Sequence, residues 1–164
     1  MITRSSNLAT NNLIDRLGAA SIRSTMDSIG ASAMHVRRGV EDGPAFRKGI
    51  NNETTAVGLA AVFKAIARCR GVSRASCDAM NDILAAQEFN KMIPAGLPAG
   101  TRVAHKTGWI TGIRYDGGIV HPERREPWVL VLLTRGFDDP ATADTLGAAL
   151  SREIRDTLVG RRGG

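Results

Sequence analysis

Aromatic residues are scarce in this chain of 164 residues, at 4% of the total. So low a content leaves few stacking platforms for a single-stranded nucleic acid. Cysteine is nearly absent. Cys69 and Cys77 stand eight apart, too few for a disulfide scaffold and without metal-ligand spacing, so they read as two unpaired small residues in the core or at the surface. No apolar run approaches the 18 or so residues of a membrane helix, and the best, Val129 to Leu133, is strand-sized. The opening stretch MITRSSNLATNN has no apolar segment of signal-peptide type. The net charge of +6 and pI near 10.1 come from 22 basic residues scattered among 16 acidic ones. The densest basic pieces are pairs: Arg37-Arg38, Arg124-Arg125 and Arg161-Arg162. That dispersion argues against a nucleic-acid partner. What remains is a chain with 43% hydrophobic residues, the size of one ordinary domain and able to bury a core, without internal repeats.

The first two-thirds has helical rhythm. Ser6 or Asn7 can cap a short helix bearing Leu8, Leu13, Ile14 and Leu17, and Gly18 is a natural stop. Ile22, Met26 and Ile29 repeat the spacing more weakly before Gly30. Residues 31–52 lose the period and carry three glycines and Pro44, which predicts a long irregular surface loop of the kind that often has a function. A helix capped by Thr54 or Thr55 should follow, burying Val57, Ala60, Ala61 and Ile66. Another runs from Ser73 with Met80, Ile83 and Leu84 on one side. The stretch NKMIPAGLPAG closes the helical region.

From Thr101 the period becomes that of strands. Three candidates, 101–110, 113–120 and 128–134, are separated by short turns, the spacing of an antiparallel meander. The last, WVLVLLT, is apolar on both faces and should lie between helix layers. Leu146, Leu150, Ile154 and Leu158 then mark an amphipathic helix, capped near Asp138 or Asp139, that should lie across the sheet. The fold class is therefore α/β of the α+β kind: a helical part over 1–100, then an antiparallel sheet with a C-terminal helix over 101–164.

One strand candidate contains an anomaly. Lys106, Thr107 and Gly108 interrupt TRVAHKTGWI with a cation, a hydroxyl and an uncrowded backbone, groups suited to a carboxylate or a developing oxyanion. At the other end of the chain Ser5-Ser6-Asn7 opens the first helix. A serine hydroxyl there could relay a proton, and an asparagine amide could hold a substrate carbonyl.

Together MITRSSNLATNNLIDRLG, NNETTAVGLAAVFKAIA, QEFNKMIPAGLPAGTRVAHKTGW and DGGIV resemble the later portion of the class A β-lactamase and penicillin-recognising serine hydrolase family. That family carries the signatures S-x-x-K, S-D-N and K-T-G. The resemblance implies a truncated β-lactamase-like fold acting on a small molecule, a β-lactam or peptidoglycan-like amide, with no metal or other cofactor. It implies that Ser5 passes a proton between attacking serine and leaving nitrogen, and that Asn7 holds the acyl side chain. Lys106 and Thr107 would bind the substrate carboxylate beside Gly108, and the Trp109 backbone N–H would form half of an oxyanion hole. The 31–52 loop would be the Ω-loop, with Glu41 as the deacylation base and Asp42 as its rival. Arg114 would be the extra cation beside the carboxylate pocket.

Three departures qualify these roles. Ser6 replaces the middle aspartate of S-D-N, and Ala45 stands where an asparagine would follow Glu41. No S-x-x-K occurs anywhere, so the chain is expected to be an inactive fragment whose nucleophile lies upstream. Such a fragment should expose apolar surface at a sheet edge and along the last helix, and should need its missing part or self-associate. Its full-length parent would be periplasmic or secreted if it carried a signal.

Overall fold

Side-chain oxygens start nearly every helix, because each satisfies backbone N–H groups that have no partner in the first turn. In the computed structural model, which describes residues 1–123 and 126–160, Ser6 caps α1 (Asn7–Leu17) by accepting from Ala9 N at 3.3 Å. Asn7 is thus the first helical residue. The helix α2 (Ala19–Ser28) follows directly. Asp42 caps a short α3 (Gly43–Arg47), so the segment 31–52 is not wholly irregular. A backbone bridge between His35 and Glu53 also closes it at its base. Proline at the start of α3 explains the difference: Pro44 is a helix breaker inside a helix and a good residue in its first turn. Thr55 caps α4 (Ala56–Ala67) and Ser73 caps α5 (Arg74–Ala85). Asp139 accepts from Ala141 N and Thr142 N at the mouth of α6 (Pro140–Gly160).

The strands β1 (Arg102–Ile110), β2 (Ile113–His121) and β3 (Trp128–Arg135) form one antiparallel sheet in that order. Lys106 lies opposite Gly117 and Thr107 opposite Asp116. The sheet has an apolar layer on each face. Met92, Ile93, Val103, Val120, Leu130 and Leu132 form one, with Ile154 of α6 packed on it. Phe63, Leu84, Ala104 and Ile119 form the other, joining α4 and α5 to the sheet. The strand β3 therefore contributes to both layers, as its two-faced apolarity predicts.

Four readings change. Val57 of α4 is 80% exposed, and that helix buries Gly58, Phe63 and Ala65 instead, while Ile83 of α5 is 50% exposed and that helix buries Cys77 and Leu84. Apolar spacing alone does not choose between adjacent arcs of a mostly apolar helix. The stripe Leu146, Leu150 and Leu158 is only half-covered, and α6 docks through Ala143, Gly147 and Ser151. Small residues win there because the approach is close: a Cβ on Gly96 would stand 2.1 Å from Ala148 O, and one on Gly147 would stand 2.6 Å from Met92 Cε. The 3-10 turn Pro94–Gly96 is what α6 rests on most. Finally Cys69 and Cys77 are joined in a disulfide, with Cα atoms 5.4 Å apart, tying the end of α4 to α5. A turn lies between the two helices and brings the cysteines into bonding range, a tertiary consequence that a spacing of eight does not announce. Arg124-Arg125 and Arg161-Arg162 lie outside the described residues. No described helix is long and apolar enough to cross a membrane.

Candidate active site

The Ser5 loop and β1 meet although they lie at opposite ends of the chain. Ser5 sits in the left-handed region, at φ 53°, which costs a non-glycine residue about 1 kcal/mol or more. The surrounding turn holds it there. Thr3 O accepts from Glu88 N at 3.2 Å, Ile2 O accepts from the Gln87 amide at 3.1 Å, and Arg4 pairs with Glu88 at 2.9 Å. The loop after α5 thus clamps residues 1–5 against the sheet.

Lys106 Nζ donates to Ser5 Oγ at 2.7 Å across a separation of 101 residues, and also to the Thr107 carbonyl. Burial pulls the Lys106 pKa below its ordinary 10.5, and the carboxylate of Asp116 partly opposes that. The neighbouring Thr107 hydroxyl is buried and has no hydrogen-bond partner. A buried hydroxyl beside a half-buried ammonium forms a pair of donors that one anionic oxygen would satisfy. Gly108 is required here by packing: a Cβ would lie 2.0 Å from Tyr115 Cζ, whose ring crosses it from β2.

A group that sequence reading missed stands directly behind. His105 and Asp116 are 1% and 0% exposed. His105 Nδ1 meets Asp116 Oδ1 at 2.8 Å and its Nε2 meets Asn90 Oδ1 at 3.0 Å. The second Asp116 oxygen accepts from Ile93 N at 3.0 Å. These contacts pin β1, β2 and the 90–93 segment together one residue from Lys106. The only sequence signal was a polar residue, His105, directly after the apolar Val103 and Ala104 of a strand candidate.

The remaining predicted residues are placed less centrally. Asn7 is part-buried on the first turn of α1, next to Ser5. Glu41 is exposed, has φ 64° and makes no ion pair among the described residues. Its loop is nevertheless fixed to α1, because the Asn11 side chain both donates to Val40 O (3.0 Å) and accepts from Val40 N (2.6 Å). Asp42 is occupied as the cap of α3. The Trp109 side chain is 49% exposed and packs edge-on against Phe89, ring centres 5.2 Å apart. Arg114 lies over the Trp109 ring at 5.7 Å and binds Asp144 at 2.8 Å. Its charge is therefore already paired. No cluster of His, Cys, Asp or Glu suited to a metal ion occurs among the described residues.

A helical part, an antiparallel sheet and a C-terminal helix, with a serine at a helix mouth facing Lys-Thr-Gly on an edge strand, define a β-lactamase-like fold. The chain belongs to the beta-lactamase enzyme family, whose model matches residues 1–158. It is similar to PBP-A at 31% identity and a TM-score of 0.84, over 98% of this chain and 59% of that one. A β-lactamase from Sphaerobacter thermophilus is 27% identical at a TM-score of 0.85, covering 94% and 59%. An ancestral class A β-lactamase of Gram-negative bacteria is 29% identical at a TM-score of 0.81, covering 95% and 62%. The chain thus spans about three-fifths of the length of these structures. No curated protein sequence matches it.

Proposed function

We propose that this chain carries the proton-relay and carboxylate-binding wall of a serine hydrolase that cleaves β-lactams or related amides through an acyl-enzyme. The observation that supports this most is the 2.7 Å contact between Lys106 Nζ and Ser5 Oγ beside the unpartnered Thr107 hydroxyl. A substrate carboxylate seated on Lys106 and Thr107 would bring the scissile nitrogen towards Ser5, and the ammonium would favour an oxyanion-like Ser5 as the proton moves to that nitrogen. The Trp109 N–H would stabilise the tetrahedral oxyanion. In this reading the attacking serine is supplied from outside the residues given, so the wall binds and polarises without itself being acylated.

The test uses the chain with benzylpenicillin and a chromogenic β-lactam. Expected are no turnover and no covalent mass increment, with saturable binding in calorimetry that weakens at least about tenfold in Thr107→Val or Lys106→Ala. Acylation of a serine in this chain would overturn the assignment of an external nucleophile. Absence of saturable binding would overturn the carboxylate site.

A second reading, a DD-peptidase or esterase-like relative, is favoured by the state of the Glu41 loop. Glu41 is exposed and makes no ion pair among the described residues, and the position four residues on is Ala45. Slow decay of an acyl-enzyme in a complete protein would mark that type. If a complete protein binds the ligand and is never acylated, the chain acts as a carboxylate-binding domain.

A further inference from the structure

The hydrogen-bond chain behind Lys106 and Thr107 dictates where its protons sit. Asn90 Nδ2 donates to the Gln87 carbonyl at 3.1 Å, and a backbone carbonyl can only accept. That contact fixes the Asn90 amide with its oxygen towards His105 Nε2, 3.0 Å away. The other ring nitrogen, Nδ1, meets Asp116 Oδ1 at 2.8 Å. Both nitrogens of this buried ring therefore face oxygens. A neutral imidazole has one N–H and one lone pair, so it would set a lone pair against an oxygen, whereas an imidazolium donates at both ends. Ile93 N donates to the second Asp116 oxygen at 3.0 Å, which favours the carboxylate over the acid.

We infer that His105 is a positioning residue of the anion site: its ring is held as an imidazolium and cancels the charge of Asp116, which would otherwise repel an anion seated on Thr107. The inference rests on the carboxylate-binding reading of Lys106 and Thr107. Thr107 is the register partner of Asp116, and antiparallel partners share a sheet face. Alternation along β1 places His105 on that same face, two residues before Thr107. An uncompensated carboxylate there would stand beside the ligand's own negative charge, in a buried setting where water screens little. The His105 side chain bonds to Asp116 and Asn90 and not to Lys106 or Thr107, so it acts on the site through Asp116.

The strand β2 is shaped to admit this ring. A Cβ on Gly118, the register partner of His105, would stand 2.4 Å from His105 Cβ, so glycine is what leaves the histidine its place. Lys106 is served by the same arrangement. The Asp116 oxygens take their hydrogen bonds from His105 and Ile93, whereas Lys106 Nζ donates to Ser5 Oγ and the Thr107 carbonyl. With its charge answered by His105, Asp116 does not capture the ammonium in a closed pair, and Lys106 stays turned towards Ser5.

The experiment pairs ring-nitrogen NMR of His105 with calorimetric binding of benzylpenicillin, both on the whole chain. Expected near neutral pH are protons on both ring nitrogens, and benzylpenicillin binding weakened about tenfold in His105→Gln, which strands the Asp116 charge. The double variant His105→Gln/Asp116→Asn should recover most of that loss, because it removes the stranded charge. A residue needed only for packing would leave the double variant as weak as the single one or weaker. Circular dichroism checks that each variant is folded, and where one is not, the ring spectrum of the parent decides alone. A ring nitrogen without its proton, or a folded double variant no better than the single, would overturn the inference while leaving the carboxylate site in place. A parent chain that never binds benzylpenicillin would strike the carboxylate reading, and the role given to His105 with it, even with the ring doubly protonated. The two failures are thus told apart.

Discussion

Lys106 keeps its charge in a place that disfavours charge, and that has a consequence for stability. Burial depresses its pKa below 10.5, so at high pH the folded chain releases this proton before the unfolded chain does. Between the lowered value and 10.5 the unfolded state binds more protons, and stability from this group rises with pH across that window. Tyr115 works in the opposite sense, since burial raises its pKa above 10.0 and folded protein holds that proton longer. Comparison with Lys106→Met removes the tyrosine contribution. The expected outcome is that the urea midpoint of the parent, relative to Lys106→Met, climbs as pH approaches 10.5 and is lowest near neutrality. A flat difference would mean that Lys106 is solvated in solution. The same half-buried ammonium, poised on Ser5 Oγ at 2.7 Å, is what makes the site a candidate for handling an anion.

The elements are held at their ends as much as at their faces. The Cys69–Cys77 disulfide fastens α4 to α5 across a short turn, with Cys69 itself at φ 49°. Closing so short a loop stabilises the fold by about 2.5 kcal/mol on the chain-entropy account. The double variant Cys69→Ser/Cys77→Ser should lose about that much in urea unfolding, with α4 and α5 intact by circular dichroism. Elements were the most legible level of the sequence, because caps and periods are local: Thr55, Ser73 and Asp139 open helices where their chemistry predicts. The strand register that brings Lys106 opposite Gly117 follows equally from short turns. Long-range contacts were less legible. A disulfide across a turn, the close seat of α6 on Gly96 and the His105–Asp116 pair all depend on where distant segments meet, and no local period encodes them. At the site, Lys106 stood out as an anomaly in a strand and Ser5 as part of a helix opening, and motif resemblance joined them, whereas the pairing of Arg114 with Asp144 depends on where α6 lies.

At the scale of the molecule, stability is distributed unevenly. The central strand β2 is paired on both sides and carries Asp116 to Val120 fully inside. Neither α1 nor α2 buries a single residue, and Leu8, Leu13 and Leu17 of α1 are exposed. Helices of 11 and 10 residues have little intrinsic stability in water, so they depend on packing that is thin here. Their attachment rests on a few polar contacts, chiefly Asn11 on Val40 and the residue 1–5 turn on Gln87 and Glu88. Native-state hydrogen exchange should accordingly separate two units, with amides of β2 opening only near the global free energy and those of α1 and α2 opening several kcal/mol below it. Asn11→Ala should speed exchange in α1 and in 36–42 while leaving β2 unchanged, since it removes both bonds to Val40. Because Ser5 belongs to the same loosely held end, that opening would also break its contact with Lys106. Ligand binding at Lys106 and Thr107 should therefore slow exchange in α1, and equal protection of α1 and β2 in the free chain would show that the helical end is held by more than these contacts.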